Sequence, residues 1–520
     1  MVLATALPLI LCALIVSKFI AARFSLLFRQ KLPPGPSTLT RILDRQSNEP
    51  MAVKLRRWSQ TYGGIMSIMD FAHFGEPTIV LSTVRAALDL LDKKGSIYSS
   101  RPRNILAGEI CYRGFKGPLQ PAGDRFRKFR TIMNTALGVE ASKSFRSLED
   151  FENKLMLRDL ILENDSGKHS SFMQRALHSV ALCSAFGTRV DHLGPKHLAF
   201  STSSEKFFLQ YSLPGGDLVD HFPILLRLPK LLQWFRMKAR KQGEKEERFF
   251  SDCFNRSKEA IDRGQSVLGA ITPALGKQER FGWSNSEIAG ILSSPYIAGV
   301  STTRGSFDAF ISAVLLKPEV MKKAQAEIDS VVGDDTMPDF EDSHSLPYIR
   351  AIVKETLRWR PPIALGIAHA TTEDDVYEGM FIPAGSTVIG NIYAITRDTE
   401  VFPEPEEFKP ERFIDNPDPI FKNYNLTFGF GRRICPGQHI ASDQLFLFVS
   451  RMLWAFDIVP LESITKPSSQ MHRGPGSPAP PPYKLVPRRE ITRSMILEHA
   501  IDAERELELW ESYSWDDATK

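Results

Sequence analysis

The spacing of apolar positions along the chain is mainly that of helices. Apolar residues recur at intervals of three and four, as on one helix face, in residues 324–332, 349–359 and 438–456. Short strand-like runs occur at residues 65–68, 78–81 and 387–389. The pattern therefore predicts a mainly α-helical domain with a small β-sheet region near its edge.

The longest predicted helix covers residues 284–316. Ser284 and Glu287 have the spacing of a capping box at its start. Gly299 weakens the interior of this helix, and Pro295 predicts a kink in it. The proline-rich residues 474–482 predict an irregular loop instead.

Residues 1–31 have the composition of a membrane anchor. Residues 2–22 are almost wholly apolar and contain one charge, Lys18. A helix of about 20 apolar residues spans a bilayer core. Basic residues follow at positions 23, 29 and 31 and none precedes the segment, so the positive-inside rule puts the downstream chain in the cytosol. A cleaved signal peptide is the alternative, but the segment lacks a basic n-region and a clear small-residue cleavage site.

The chain is therefore divided into three predicted segments. A transmembrane anchor with its basic flank covers residues 1–31, the main folded domain covers 32–489, and an acidic helical extension covers 490–520. The Pro-Pro-Gly-Pro run at residues 33–36 predicts a stiff linker after the anchor. In the extension, acidic residues dominate from Glu498 onward, which is typical of a solvated or partner-facing end.

Composition and charge narrow the class of protein. Of the 520 residues, 42% are hydrophobic and 24% are charged, an ordinary globular balance. The net charge of +4 is too small to indicate a nucleic-acid partner, and no run rich in Lys and Arg supports one. The five cysteines are odd in number and lack the spacing of zinc ligands. They indicate a reducing compartment without a disulfide framework.

One cysteine has a chemically distinctive setting. Residues 428–437 read FGFGRRICPG and lead directly into a predicted helix. Cys435 therefore stands at a helix N-terminus, where free N–H groups and the helix dipole favour a thiolate. Arg433 could pair with a carboxylate of a cofactor bound beside it. Glycines let the backbone approach a flat cofactor closely, and this loop has Gly429, Gly431 and Gly437.

The loop resembles the haem-binding signature of the cytochrome P-450 family, F-x-x-G-x-R-x-C-x-G. Phe428, Gly431, Arg433, Cys435 and Gly437 occupy its fixed positions. A glycine-rich turn with an incidental cysteine is the alternative, and it does not account for so many matching offsets. The resemblance implies the cytochrome P-450 fold and haem b, iron protoporphyrin IX, with Cys435 as the axial ligand of the iron.

A second resemblance lies on a predicted helix upstream. Glu355 and Arg358 in KETLR are three residues apart, so they share a helix face and can pair. Alone, such a pair is a common surface feature. Here the pair is followed by Pro-Glu-Arg-Phe and then by the loop that contains Cys435 (the cysteine loop, residues 428–437), in the order that the family shows. The resemblance therefore implies a network of Glu355, Arg358 and Arg412 that braces the haem-binding loop.

Residues 298–303, Ala-Gly-Val-Ser-Thr-Thr, resemble the family's oxygen-activation motif. Small residues here, such as Gly299, leave space for dioxygen, and Thr302 can hold water and donate a hydrogen bond. Ser301 stands where the family has an acidic residue, and a serine cannot hold charge near neutral pH. The departure implies that protons arrive through other groups or water. A Ser/Thr cluster at a helix bend is the alternative interpretation.

Residues 123–130 resemble the helix that contacts the haem propionates in this family. Arg130 fits the position of the arginine, whereas Phe126 replaces a tryptophan and has no N–H to donate. His369 is a further candidate propionate donor, although a lone histidine is more often an ordinary polar residue. The basic residues 125, 127 and 128 predict a docking face for an acidic reductase, with a solvated helix face as the alternative.

The resemblance covers residues 32–489 and implies a monooxygenase. Such an enzyme uses O2 and electrons from NADPH through NADPH–cytochrome P-450 reductase, with cytochrome b5 as a further electron donor. The anchor and the proline-rich linker match the microsomal, fungal-like branch. They imply a single-pass protein of the endoplasmic reticulum membrane with a cytosolic catalytic domain.

The segments that cover the distal side predict a lipophilic small-molecule substrate. The candidate pocket residues are Ala298, Ile363, Ala364 and Leu365. A terpenoid or another secondary metabolite is the hypothesis. The enzymatic alternatives are a haem-thiolate isomerase, dehydratase or peroxygenase that needs no reductase. From other classes, a non-catalytic haem-binding sensor and a structural membrane protein with an incidental motif remain open.

Overall fold

The computed structural model describes residues 31–44, 49–69, 77–163, 165, 167–212, 215–462, 479–505 and 512–513. The predicted anchor lies almost wholly outside these residues, as do most of the proline-rich loop and most of the acidic end beyond residue 505. Among the helices of the described part, none is both long enough and apolar enough to cross a bilayer.

Helices make up most of the described chain. Those before residue 265 are α1 (Thr38–Leu43), α2 (Met51–Tyr62), α3 (Val84–Ala87), α4 (Gly95–Tyr98), α5 (Asp124–Leu137), α6 (Val139–Lys143), α7 (Arg146–Leu162), α8 (His169–Phe186), α9 (Pro195–Tyr211), α10 (Leu218–His221) and α11 (Phe235–Asp262). Those after it are α12 (Ile271–Leu275), α13 (Gln278–Phe281), α14 (Asn285–Leu316), α15 (Pro318–Val331), α16 (Pro347–Trp359), α17 (Ile392–Ile395), α18 (Pro419–Lys422), α19 (Gln438–Ala455) and α20 (Glu490–Arg505).

The remaining helical segments are short. Two have π geometry, Leu88–Lys93 and Ile105–Cys111. Those with 3-10 geometry are Gly117–Leu119, Pro223–Arg227, Lys230–Leu232, Glu341–Ser345, Pro410–Phe413, Leu426–Phe428 and Gly431–Arg433. Of these, Leu426–Phe428 leads into the cysteine loop and Gly431–Arg433 lies within it.

The strands are short and form small sheets. They are β1 (Ile65–Met69), β2 (Pro77–Leu81), β3 (Arg189–Val190), β4 (His369–Ala370), β5 (Asp375–Tyr377), β6 (Met380–Ile382), β7 (Thr387–Gly390), β8 (Phe456–Pro460), β9 (Tyr483–Pro487) and β10 (Ser512–Tyr513). The largest sheet has the order β1-β2-β7-β4, in which β2 and β7 are parallel and the outer pairs antiparallel. The pairs β5–β6 and β8–β9 are antiparallel, and β3 pairs with β10 in parallel. The predicted mainly helical architecture with small sheets is confirmed.

The long helix α14 forms for the reason that the sequence indicates. The Ser284 hydroxyl accepts from the Glu287 N–H at 3.3 Å, and the Glu287 carboxylate accepts from the Ser284 N–H at 3.0 Å. This reciprocal cap satisfies two donors that have no partner inside the helix. The helix continues through Pro295 to Leu316, where Lys317 and the proline after it end it.

The core is built around α14. Its buried apolar residues pack against α8 on one side and against α19, the helix that follows the cysteine loop, on another. The rings of Phe307 and Phe448 stack with centroids 3.7 Å apart and planes at 4°. Aromatic stacking of this kind stabilises the contact beyond the burial of area. This contact holds α19, the helix that follows the cysteine loop, against α14.

A separate apolar cluster covers the opposite end of α14. The π segment Ile105–Cys111 packs with α9 and α11, and the Tyr112 ring contacts the Phe207 ring edge-on at 6.2 Å. The Asp220 carboxylate accepts from the N–H groups of Ile105 and Leu106 at 2.6 and 3.1 Å, so α10 is tied to the same segment. The π segment lies within residues 99–120 and α10 within residues 207–234, two segments that the family resemblance predicts to cover the substrate.

The C-terminal helix α20 packs on the fold. Ala500 and Ala503 contact Phe151 and Leu155 of α7 in an apolar cluster. An ion pair joins Arg158 of α7 to Glu504. This part of the predicted acidic extension is therefore bound to its own chain and does not extend freely into solvent.

Candidate active site

The cysteine loop is closed by its own backbone. The N–H of Cys435 donates to the carbonyl of Phe428 at 2.8 Å, which folds the loop back on itself. Gly429 and Gly431 have φ of +88° and +50°, a region that favours glycine. A Cβ on Gly431 would come within 2.7 Å of the Leu91 carbonyl oxygen, so a side chain there requires the backbone to move.

Cys435 ends this loop just before α19. Its side chain is half-buried and forms no disulfide. Burial raises the pKa of the Cys435 thiol, while the Gly437 N–H and the positive charge of Arg130 lower it. Burial is the larger effect, so the thiolate predicted from the helix N-terminus does not follow for the thiol by itself. A metal ion at the sulfur favours the thiolate because it displaces the proton.

The side chain of Arg433, a residue of the same loop, is buried. Its Nε donates to the Ser99 carbonyl at 2.6 Å and its Nη2 to the Gln120 carbonyl at 2.8 Å. Burial and the neighbouring charge of Arg130 lower the pKa of Arg433 to about 9. The Phe126 ring lies over the guanidinium, and the guanidinium carbon is 3.4 Å from the ring centroid. Phe126 therefore packs, as predicted, and it packs on the arginine of the signature.

A second buried guanidinium, Arg101, joins the site without any signal in its local sequence. Its Nη1 donates to the carbonyls of Ile367 and Ala368 at 2.6 and 2.8 Å, and its Nε to the Pro118 carbonyl at 2.9 Å. Burial and the charge of Arg433 lower the pKa of Arg101. Only the tertiary fold brings these segments together, which is why motif analysis missed the residue.

His369 and Arg130 complete the group. The Nδ1 of His369 donates to the Tyr98 carbonyl at 2.8 Å, and burial lowers the pKa of the imidazole, with a further contribution from Arg101. The Nη1 of Arg130 donates to the carbonyl of Ile434, beside the cysteine, at 2.6 Å. We call Arg101, Arg130, His369 and Arg433 the donor cluster.

The donor cluster fits a haem group. Within the described part of the chain, its three guanidinium groups bind backbone carbonyls and none forms an ion pair with a carboxylate. Buried cations without anionic partners are costly, so a ligand that brings two carboxylates is favoured there. Beside the sulfur, a Cβ on Gly437 would meet no atom within 4 Å, so the backbone presents a flat, open surface. A soft sulfur ligand beside a cluster of donors for carboxylates is an arrangement that suits haem.

The predicted Glu355 network is present, with Glu355 and Arg358 fully buried and Arg412 mostly buried. The Arg358 Nε and Nη2 donate to the two carboxylate oxygens of Glu355 at 2.6 and 2.8 Å. The Arg412 Nε lies 3.2 Å from the same carboxylate, and the Lys409 N–H donates to it at 2.7 Å. A bidentate pair with further donors offsets the cost of burying the charges.

The network reaches the cysteine loop through α16. The Arg358 Nη1 donates to the carbonyls of Thr396 and Pro405 at 3.0 and 2.8 Å, which pins the chain that leads to the loop. The Thr427 hydroxyl donates to the Leu357 carbonyl at 3.2 Å, one residue before Phe428. The role of the Glu355 network is therefore to hold the cysteine loop in place.

One face of α14 is less buried than its surroundings. Ala298 is exposed, and Ser301 and Thr302 are half-buried, although Val300 and Thr303 beside them are buried. The Thr302 hydroxyl donates to the Ala298 carbonyl at 2.7 Å. A hydroxyl held this way can be released to a water or ligand at small cost, because the carbonyl also has its helical partner.

Gly299 lies on a different face from these residues. A Cβ built there would lie 3.5 Å from the Cβ of Ala181 on α8, which is ordinary contact. The predicted role of Gly299, leaving space for a ligand, is therefore not supported by its orientation. Ala298 is the small residue on the accessible face.

The predicted pocket residues after α16 divide into two sets. Ile363 and Ala364 are half-buried in a turn, and the Ala364 carbonyl accepts from the Tyr393 N–H at 2.9 Å. Leu365 instead packs with Leu55 and other residues beneath the sheet, so it belongs to the core. Neighbouring residues of this turn face opposite sides. An apolar run alone does not show which of them face the pocket and which face the core.

Comparisons with known proteins agree with this geometry. The sequence model of the cytochrome P450 family matches residues 33–486. The chain belongs to the cytochrome P450 family. It is 34% identical over 439 residues to cytochrome P450 monooxygenase 58 of Postia placenta, covering 82% of each protein. It is 33% identical over 486 residues to cytochrome P450 monooxygenase COX2 of Coprinopsis cinerea, covering 90% of this chain and 91% of the relative.

A solved structure shares the fold. A zebrafish cytochrome P450 bound to progesterone superposes with a TM-score of 0.70 at 22% identity, over 85% of this chain and 100% of that one. At this identity the likeness shows the fold alone, and the P450 fold is confirmed. The chain is accordingly a cytochrome P450 monooxygenase, an oxidoreductase that uses haem and O2. Membership of this family favours an enzyme over the two non-enzymatic alternatives that the sequence left open, a haem-binding sensor and a structural membrane protein.

Proposed function

We propose that this P450 is a haem b monooxygenase that oxidises a lipophilic small molecule of fungal secondary metabolism, with a terpenoid as the favoured class. Electrons come from NADPH through NADPH–cytochrome P450 reductase, and cytochrome b5 is a further donor. The observation that carries the proposal is the half-buried Cys435 thiol next to the donor cluster, whose guanidinium groups form no ion pair with a carboxylate of the described residues.

Each part of the site has a defined task. Bound haem supplies oxygen activation, which the protein side chains cannot perform. When haem is bound, the Cys435 sulfur would hold its iron and the donor cluster would hold its propionates. The Glu355 network holds the loop that carries the ligand, as an outer shell commonly does. The Thr302 hydroxyl holds a proton on the accessible face of α14.

The apolar cover of the site supports a lipophilic substrate. It contains a cluster of buried aliphatic and aromatic side chains, including Leu106, Leu119 and Phe207. Walls of this kind bind ligands by area and tolerate few charges. The zebrafish P450 holds the steroid progesterone in the same fold. Relatives from several fungi support the fungal assignment.

The reductase face is proposed on α5. Arg127 is well exposed, and its contact with Asp124 is a surface pair that contributes little to stability. Arg125 and Lys128 are half-exposed beside it and pair with Glu287 and Asp124. Because exposed pairs of this kind exchange partners easily, an acidic reductase can compete for these cations.

Membrane attachment at the endoplasmic reticulum is the proposed location. Besides the predicted anchor, the segment around α10 and the start of α11 exposes Leu231 by 95%, Met237 by 74%, and also Ile224, Leu232 and Trp234. Such an apolar surface is uncommon on a protein surrounded by water. We infer that this surface contacts the bilayer.

Removal of residues 1–31 should leave partial binding of the protein to phosphatidylcholine vesicles. Replacement of Leu231 and Met237 by Ser in the shortened protein should abolish this remaining binding.

The first test is the absorption spectrum of the reduced protein with carbon monoxide. We expect a strongly red-shifted Soret band that Cys435→Ala removes. Cys253→Ala, at a buried cysteine within α11, is the matched control and should keep the band. A haem protein without the shifted band, or with the same band after Cys435→Ala, would contradict the proposal.

A reductase-independent isomerase, dehydratase or peroxygenase is the alternative that Ser301 leaves open. Product formation that requires NADPH and reductase supports monooxygenation. Equal turnover without either favours the alternative.

A further inference from the structure

We propose that three arginines, placed where the π segment Ile105–Cys111 meets α11, bind the phosphate group of an anionic membrane lipid. The arginines are Arg113, Arg236 and Arg240, and we call the cavity that they line the phosphate pocket. The inference rests on the membrane location proposed above. It adds a binding site and a ligand class to that location, a phosphate monoester that carries acyl chains.

The phosphate pocket has the size of a small-molecule site. Its volume is about 510 Å³, and the π segment and α11 form most of its walls. Leu226, from the 3-10 segment Pro223–Arg227, contributes an apolar part of the lining. Sites for small molecules commonly have about 300–1,000 Å³, so a phosphate group with its glycerol carbons fits.

The pattern of residues on α11 brings the arginines together. Arg236 and Arg240 are four residues apart and share a helix face, and Gly243 continues that face one turn later. A Cβ on Gly243 would come within 2.6 Å of the Cys111 carbonyl oxygen. The missing side chain therefore lets the end of the π segment lie directly against α11. This places Arg113, two residues after Cys111, at the same cavity.

The pocket contains guanidinium donors that the chain leaves unused. The Nε of Arg236 donates to the Gln233 side-chain oxygen, and its other nitrogens bind no described residue. The Arg240 guanidinium forms neither a hydrogen bond nor an ion pair within the described part of the chain. Arg113 binds Glu247 through one Nη at 2.9 Å. A guanidinium offers five N–H donors in a plane, an arrangement that matches the oxygens of a phosphate group.

Two carboxylates also line the pocket, and they decide its charge. Glu109 is paired with Arg103, which donates to both carboxylate oxygens at 2.6 and 3.0 Å. The Glu244 carboxylate is exposed and has no partner among the described residues, so it opposes the binding of an anion. Arg236 and Arg240 outweigh this single unpaired carboxylate. The phosphate pocket is therefore positive and favours an anionic ligand.

The surroundings of the pocket favour a lipid over a free phosphate ion. Met237 directly follows Arg236, and Ile224 shares the 3-10 segment with Leu226; both Met237 and Ile224 are well exposed. They belong to the apolar surface for which bilayer contact is proposed above. A phosphate group in the pocket thus has apolar side chains beside it for its acyl chains. Basic residues at such a boundary are attracted to anionic lipids.

The first arm of the test measures binding to the full-length holoprotein in a neutral detergent. Calorimetry compares dihexanoyl phosphatidic acid, dihexanoyl phosphatidylcholine and inorganic phosphate. We expect phosphatidic acid to bind about tenfold more tightly than phosphatidylcholine, because its headgroup has no cation to compensate the phosphate charge. Inorganic phosphate should bind more weakly than phosphatidic acid, since it gains nothing from the neighbouring apolar residues.

The second arm repeats the phosphatidic acid titration with variants. Arg236→Gln and Arg240→Gln should each weaken binding by about tenfold, because each removes a charge-assisted hydrogen bond to the phosphate. Glu244→Gln should strengthen binding, because it removes the opposing charge. Arg248→Gln is the matched control, since Arg248 is an exposed arginine of α11 that does not line the pocket. Equal losses in Arg236→Gln and Arg248→Gln would indicate attraction by net charge alone and overturn the pocket.

The third arm places the full-length holoprotein in nanodiscs of phosphatidylcholine with or without phosphatidic acid. Amide hydrogen exchange in residues 105–113 and 236–244 should slow when phosphatidic acid is present. The double variant Arg236→Gln with Arg240→Gln should lose this protection and remain in the nanodisc. Protection that persists in the double variant would overturn the assignment of the phosphate to this pocket.

The outcomes separate this proposal from the proposed function. No arm measures turnover, so a protein without monooxygenase activity still gives a result for the pocket. If the full-length protein does not enter nanodiscs, the proposed membrane location fails, while calorimetry still decides whether the pocket binds phosphatidic acid. Equal affinities for phosphatidic acid and phosphatidylcholine would overturn the proposal. Inorganic phosphate that binds as tightly as phosphatidic acid would make a free phosphate ion the ligand and overturn the lipid.

Discussion

The ring of Phe126 lies against the Arg433 guanidinium, 3.4 Å from ring centroid to the guanidinium carbon. The family resemblance places a tryptophan at this position, which can donate an N–H as well as pack. Phe126 retains the packing and gives up the donor. Arg433 is therefore oriented by an aromatic face on one side and by backbone carbonyls along its edge.

Substitutions at Phe126 should change haem retention in opposite directions. Phe126→Ala removes the stacking on Arg433, worth about 1 kcal/mol, so haem loss should accelerate by about fivefold. Phe126→Trp adds an N–H near the propionates and should slow haem loss. The measurement is haem transfer to excess apomyoglobin, with Phe222→Ala at a partly exposed ring as control. Equal rates in all variants would show that the stacking has no role in haem binding.

Arg101 should be as important for haem binding as the arginine of the signature. Arg101→Gln keeps hydrogen-bond donors for the Ile367 and Ala368 carbonyls but removes the buried charge. Loss of a charge-assisted contact worth about 2 kcal/mol should weaken haem binding by about thirtyfold. Haem titration of apoprotein measures this. Arg103→Gln, at an exposed ion pair, should change affinity by less than about twofold.

Much of this architecture could be predicted because its determinants are local. The cap of α14 depends on Ser284 and Glu287, and the Glu355–Arg358 pair on one helix face, so a short stretch of sequence contains each of them. Arg101 could not be found this way. Its role depends on Arg433, 332 positions away, and nothing in its own neighbourhood marks it. Burial of the Cys435 thiol is likewise a property of the whole fold, so its effect on the pKa of that thiol could not be predicted from the loop sequence alone.

The Glu355 network should tolerate no loss of charge. Glu355→Gln leaves the fully buried Arg358 and the mostly buried Arg412 without their shared anion. Breaking a buried pair from one side costs about 3–5 kcal/mol, so the free energy of unfolding should fall by that amount. Urea unfolding followed by circular dichroism measures it. Glu247→Gln, at a carboxylate that pairs with the exposed Arg113, is the control and should cost less than about 1 kcal/mol.

Glu149 of α7 should make stability depend on pH. It is buried, and neither carboxyl oxygen has a hydrogen-bond partner among the described residues. Burial raises the pKa of Glu149 well above its usual range; the charge of Asp443 adds to this and Arg146 opposes it. The folded protein thus retains a proton that the unfolded chain has lost.

The sign of the effect follows from that difference. A raised folded-state pKa gives stability that is complete below the unfolded pKa of about 4.3 and is lost as pH rises towards the folded pKa. Glu149→Gln cannot ionise, so its free energy of unfolding should match wild type near pH 4 and exceed it near pH 7. Urea unfolding across this range tests it. Glu140→Gln, at an exposed position in α6, should follow the wild-type curve, and a wild-type curve that rises from pH 5 to 7 relative to Glu149→Gln would show that the Glu149 carboxyl is stabilised as an anion.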